Sequence, residues 1–185
     1  MKRHLKIIRL GWILALILLM AWLLIQAIVP GGKITYETNF KKPNYVIGRF
    51  LPADRVVSSD GFPSLKAEPV YFTLFTPRLF SQAVITFDFE GPVELIKLGV
   101  CRDKSLWNYE LKALDKQPLE KLANGDLRAR LEFDLSGACR DKSSYSFMIS
   151  APGLNNSNNE LIIKNIKVDL VGVTFWQYVL KFFKI

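Results

Sequence analysis

Leu127–Leu135 reads LRARLEFDL and alternates without a fault. Leu127, Ala129, Leu131, Phe133 and Leu135 fall on one side, and two arginines, a glutamate and an aspartate on the other. A strict period of two places successive side chains on opposite faces of a strand, so this stretch predicts a strand with one face in a core and one in water. The same pattern recurs in both directions. Ala83–Glu90 sets Ile85, Phe87 and Phe89 against Thr86, Asp88 and Glu90. Val70–Thr76 (VYFTLFT) is rich in aromatic and β-branched residues and suits a central strand. Val93–Val100 follows a Gly91-Pro92 turn, which predicts a hairpin with the strand before it. Ile34–Thr38, Leu106–Ala113, Tyr145–Ala151 and Leu161–Val171 complete the series, with Trp107, Tyr109 and Leu111 sharing a face. Only Leu114–Ala123 has room for a helical turn, and Pro118 interrupts it. Eight or more short strands separated by polar turns predict an all-β fold, an antiparallel jelly-roll-like β-sandwich over residues 33–172.

Three segments carry a resemblance at the level of pattern. ELIIKNIKVDL (160–170), KITYETNF (33–40) and YSFMISAPG (145–153) are similar to strands of jelly-roll, carbohydrate-binding-module-like domains. The chain also resembles single-pass bacterial membrane proteins that carry such a domain outside the cytoplasm. The resemblance implies the sandwich fold and glycan binding through aromatic rings. It assigns no residue a role.

Outward from the strands, Leu10–Val29 (LGWILALILLMAWLLIQAIV) is twenty residues without a charge. As a helix it reaches about 30 Å, the thickness of a bilayer's hydrocarbon core. Lys2, Arg3, Lys6 and Arg9 precede it, and no acidic residue occurs before Glu37. The expectation is a cytoplasmic flank over 1–9, a transmembrane helix over 10–29, a linker over 30–32, and a domain outside the cytoplasm, anchored in the plasma (inner) membrane. A cleaved signal peptide is the competing reading. Its apolar core is usually shorter, and QAIVPGGK (26–33) lacks the small-x-small pattern of a cleavage site.

The formal net charge of +8 is not a nucleic-acid signature. Four of the positive charges sit on the N-terminal flank, and the remainder carries 21 Lys and Arg against 17 Asp and Glu with both signs interspersed. No aromatic-basic motif accompanies them, so nucleic acid is not an expected partner.

Gly99-Val-Cys-Arg-Asp-Lys-Ser105 recurs as Gly137-Ala-Cys-Arg-Asp-Lys-Ser143. The plain reading is two equivalent turns at strand ends, since Asp and Ser are ordinary turn formers. The sharper one is that the copies lie side by side and converge on a ligand. Cys101 and Cys139 are the only cysteines. Outside the cytoplasm they are expected to pair as a disulfide, the alternative being two buried thiols that behave as small hydrophobes.

The last thirteen residues, 173–185, read VTFWQYVLKFFKI and leave the strand pattern. Thr174, Gln177, Lys181 and Lys184 form one polar stripe on a helix, with Phe175, Trp176 and Phe182 among the apolar remainder. A short amphipathic helix of this kind suits the membrane interface, through Phe175, Trp176, Lys181, Phe182 and Lys184, or packing on the sandwich or on another membrane protein.

The only histidine is His4, on the N-terminal flank. That leaves no Ser-His-Asp, Cys-His or histidine-zinc chemistry for the domain, and no enzymatic activity is expected. Asp88 with Glu90 and Glu132 with Asp134 share strand faces, as the solvated side of a sheet commonly does. No cofactor is expected. Asn155–Glu160 has oxygen ligands for a structural calcium, though an Asn-rich turn is the simpler reading. The expected function is a membrane-anchored binding module for a surface glycan or envelope polymer, with Trp107, Tyr109 and Tyr145 as candidate stacking residues. The alternative is a non-catalytic subunit of an envelope complex. Exposure of Trp107 and Tyr109 favours the first, and burial of both the second.

Overall fold

The structure is a computed structural model that describes residues 2–28, 32–42, 44–91, 96–154 and 160–172. Helix α1 (Lys2–Ile28) precedes twelve described strands: β1 (Lys33–Thr38), β2 (Val56–Ser59), β3 (Phe62–Leu65), β4 (Val70–Phe75), β5 (Phe80–Glu90) and β6 (Lys97–Asp103), then β7 (Asn108–Ala113), β8 (Leu119–Lys121), β9 (Leu127–Asp134), β10 (Arg140–Asp141), β11 (Ser144–Ser150) and β12 (Leu161–Gly172). They form two sheets. The larger runs β2-β3-β12-β5-β9-β8, with β1 also on β12, and the smaller runs β10-β11-β6-β7, with β4 on β11.

Hydrophobic alternation built this arrangement as expected. Ala129, Leu131, Phe133 and Leu135 are buried, as are Ile85, Phe87 and Phe89 on the neighbouring β5. The two sheets meet through aromatic rings. Phe133 of the larger packs edge-on against Phe147 of the smaller at 5.8 Å, and Phe147 stacks on Phe72 at 5.3 Å. Each such ring removes a large apolar area from water, which is what drives two half-polar sheets together.

Three expectations about the strands fail. The β5–β6 hairpin does not form: β6 pairs with β7 and β11 in the other sheet. Both edges of β5 are already hydrogen-bonded, to β12 and β9, which leaves β6 no edge to join. Val70–Thr76 is not a central strand flanked on both sides by long partners. Its outer edge is met by the irregular segment 46–51, where Gly48 N–H donates to Thr73 O at 2.7 Å and Leu51 and Tyr71 exchange two bonds at 2.7 and 2.8 Å. Leu114–Ala123 holds turns and the short β8 in place of a helical turn. The β2–β3 hairpin escaped the reading altogether, although its Asp60-Gly61 tip, with both φ positive, is a common two-residue turn.

Helix α1 exposes every side chain described for it, residues 8–24, with Trp12 at 75% and Leu10 at 70%. That stretch alone is about 25 Å long, and among the described residues no helix is long and apolar enough to cross a membrane. The span read from the sequence runs on to Val29, outside them. At the other end of the chain, Phe175, Trp176, Lys181, Phe182 and Lys184, expected from the sequence at the membrane interface, also lie outside the described residues. Gly172, the described residue before them, is tied to the residue that precedes β1. Gly172 N–H donates to Gly32 O at 2.9 Å, and Lys33 pairs with Val171. Gly32 and Gly172 are therefore neighbours at this edge of the larger sheet.

Candidate ligand-binding face

The two heptapeptide copies lie side by side and are not equivalent. Strand β6 pairs with β11 from Lys97 to Val100, then parts from it, and β10 takes its place against Tyr145 and Ser144. The Cys101–Cys139 disulfide forms across this fork, and Cys139 N–H donates to Cys101 O at 2.8 Å. Lys104 of the first copy reaches Asp141 of the second at 2.7 Å. That pair raises the lysine pKa and lowers the aspartate's, in each case through the hydrogen bond first and the Coulomb attraction second. Arg102 is bound instead by Glu110, and its counterpart Arg140 donates to Thr76 O at 2.7 Å.

The copies differ in how they turn. In the second, Lys142 and Ser143 both take positive φ and join Asp141 to Ser144 in a two-residue hairpin. In the first, four residues separate the paired Asp103 and Asn108. Asp103 Oδ1 accepts from Ser105 N–H (2.8 Å), Ser105 Oγ (2.6 Å) and Leu106 N–H (3.3 Å). These bonds hold its pKa below the ordinary carboxylate value, the Ser105 hydroxyl contributing most. The register also slips between Cys101 and Asp103, a bulge that opposes two β6 residues to one of β7. Trp107 closes this turn at φ 52°, a left-handed conformation uncommon for a tryptophan.

The bulge and the longer turn put aromatic rings outside. Trp107 is 70% exposed and Leu106 75%. Across the outer face of the smaller sheet, Tyr71 of β4 packs against Trp107 at 5.9 Å between ring centroids and against Tyr109 of β7 at 5.8 Å. Two strands separate β4 from β7, so the rings lean towards each other over the middle of the sheet. Gly99 makes this possible. It lies in one row with Tyr71, Met148 and Leu111, and a Cβ there would come within 2.6 Å of Leu111 Cδ2. A bare backbone in mid-sheet lets neighbouring side chains lie flat. The buried Cys101 sits on the same face, paired with Tyr109. Tyr109 is half-covered, and burial, with Tyr71 beside it, raises its pKa above the usual tyrosine value.

Of the sequence candidates, Trp107 and Tyr109 come together on this shelf and Tyr145 does not. Tyr145 is 2% exposed and points into the core, where burial raises its pKa above that of a free tyrosine. Grouping it with the other two was an error of face: the second copy has no bulge, so the strand following it begins in the opposite phase. The residue that was missed is Tyr71. Its signal was present, because VYFTLFT alternates and sets Tyr71 opposite Phe72, but the run was read for its apolar content.

Three of the four paired carboxylates have structural partners. Asp88, 6% exposed, accepts from Arg128 Nε at 2.6 Å and its terminal nitrogen at 2.8 Å, and Glu90 meets Lys164 at 3.2 Å. Asp134 accepts from Ser136 N–H at 2.8 Å. Among the described residues, no group of three or more His, Cys, Asp or Glu is placed to hold a metal. Asn155–Glu160, the segment with oxygen ligands suited to calcium, falls mostly outside the described residues; its described member, Glu160, accepts from Ser64 at 3.0 Å and is bound by Lys66.

No protein-family model matches the chain, and no curated protein matches it. Among solved structures it is similar to a family two carbohydrate esterase from Cellvibrio japonicus (TM-score 0.42, 12% identity, 76% of this chain). The chain spans about a third of that esterase, 35% of its length. It is also similar to TmCBM27, a carbohydrate-binding module described for specific mannan recognition (0.42, 10% identity, 76% of this chain and 99% of the module). A third is peanut lectin with a nine-residue peptide (0.46, 12% identity, 78% of this chain and all of the lectin chain). Overlap this partial carries nothing of those proteins' activity over to this chain.

Proposed function

We propose that the protein is a membrane-anchored binding module that holds a glycan on the Tyr71–Trp107–Tyr109 shelf. One observation carries the reading: a tryptophan 70% exposed on a left-handed turn, braced by a tyrosine from a strand remote in sequence. Solvent-exposed rings on a flat, rigid sheet present apolar faces at little conformational cost, and the axial C–H face of a sugar ring is their natural complement. The shelf is edged by groups able to bond hydroxyls, among them the exposed Lys104 and Asn108. Helix α1 is the bilayer anchor in this reading, supported by the exposure of all its described side chains. The domain lies outside the cytoplasm, where the disulfide is stable. In the same reading residues 173–185, which follow Gly172 in sequence, hold the domain against the membrane interface or against a neighbouring membrane protein.

The test uses the full-length protein in lipid nanodiscs on a panel of neutral and charged oligosaccharides. Saturable binding that Trp107→Ala weakens at least tenfold supports the shelf. Binding that survives Trp107→Ala and Tyr71→Ala together removes it.

A further inference from the structure

A cavity lies away from the shelf and has a different chemistry. Strands β1 and β3 share one edge of β12: β1 covers Ile166 to Val171, and β3 covers Leu161 and Ile162. Where they stop short of each other, the chain leaves β1 and crosses to the smaller sheet, and a cavity of about 670 Å³ opens between this crossing and the β2–β3 hairpin. That is within the size range of ligand pockets, roughly 300 to 1,000 Å³. Its inner wall is apolar and aromatic. Ile47 and Phe50 are buried, and Phe40 packs on Phe50 at 5.5 Å.

The same cavity is lined by Lys41, Lys42 and Arg49 and by no aspartate or glutamate. Among the described residues none of these three cations forms an ion pair. Lys33, Lys66, Lys104, Arg128 and Lys164, by contrast, all meet a carboxylate. Lys41 stands 5.6 Å from the Phe62 ring centre, a contact that leaves its charge uncompensated. An adjoining groove shares Lys41 and Phe62 but carries Glu37, Glu90 and Asp126. There the three carboxylates outnumber Lys41 and Lys164, so the cavity is the more favourable place for an anion. Three unpaired cations over an aromatic wall match a ligand with an acidic group on a ring-shaped, partly apolar body.

The geometry points to a binding site for an acidic saccharide unit, its carboxylate or phosphate on Lys41, Lys42 and Arg49 and its ring against Phe40 and Phe50. The site goes beyond the shelf and shares no residue with it, so either can fail alone. In the test, full-length protein in neutral nanodiscs is titrated with hexuronate oligomers, sugar-phosphate oligomers, uncharged hexose oligomers and vesicles containing anionic phospholipid. The expected result, read in a Trp107→Ala/Tyr71→Ala background so that the shelf does not contribute, is saturable binding of at least one acidic saccharide, weakened tenfold or more by adding Lys42→Glu/Arg49→Glu. Both charge-reversed side chains are exposed, and an unaltered melting temperature confirms the fold. The inference is overturned if no acidic saccharide binds, if charge reversal leaves binding intact, if uncharged oligomers bind equally well, or if only the vesicles bind.

Discussion

The heptapeptides 99–105 and 137–143 differ at one position, yet the aromatic residue two places after each meets an opposite fate. Trp107 is 70% exposed and Tyr145 2%. A bulge and a four-residue turn follow the first copy, while a two-residue hairpin without a bulge follows the second. Because strand side chains alternate, one extra residue in the register moves everything after it to the other face. Nearly identical local sequence thus supplies a surface platform in one place and a core ring in the other.

The largest effect should come from the buried member. Tyr145→Ala is expected to cost about 3 to 5 kcal/mol of stability, the usual range for emptying an aromatic site in a core. Trp107→Ala should cost less than about 0.5 kcal/mol, as surface substitutions do. Urea unfolding of the two variants measures the contrast directly, and equal losses would break it.

The disulfide that locks the copies together comes next. With the cysteines 38 positions apart, removing the disulfide should cost about 4 kcal/mol in the chain-entropy model. Melting the Cys101→Ala/Cys139→Ala protein beside the oxidised one tests this. Ring contacts at the shelf should weaken too, visible as a change in Trp107 fluorescence, since Cys101 lies beneath Tyr109.

A smaller effect separates the tyrosines by pH. Burial raises the Tyr145 pKa, so the folded state holds its proton more tightly than the unfolded one. That contribution to stability is complete below the ordinary tyrosine pKa of about 10 and is lost as pH rises beyond it. Tyr145→Phe should flatten the decline in melting temperature between about pH 9 and 11. Tyr109→Phe should flatten it less, because that ring is only half-covered. The smallest effect belongs to Lys104, whose pair with Asp141 is open to water. Lys104→Ala should leave the melting temperature unchanged, and a clear drop would mean that this ion pair, along with the disulfide, holds the copies together.

Much of the architecture was legible residue by residue. LRARLEFDL and VITFDFE (84–90) announced their buried faces because hydrophobic periodicity is written locally. The cysteine pair was legible for another reason: two cysteines admit a single pairing. The aromatic shelf was only half legible. Trp107 and Tyr109 were found by type and position, whereas Tyr71 belongs with them through a contact spanning more than thirty residues. The cationic cavity was invisible in the same way, since Lys41, Arg49 and Phe62 converge only when the β2–β3 hairpin folds against the crossing segment.

What the chain's order of residues determined by itself was most of the longer strands, the apolar helix and the disulfide, each set by periodicity, length or count. Which strands became neighbours was decided by the tertiary structure. The hairpin expected after Gly91 is absent because β5 had no free edge, and Tyr145 turned inward because its strand lacks the bulge present in β6. Alternation states that a strand has two faces. Which face meets the core depends on register, and register is settled by hydrogen-bonding partners that lie far away along the chain.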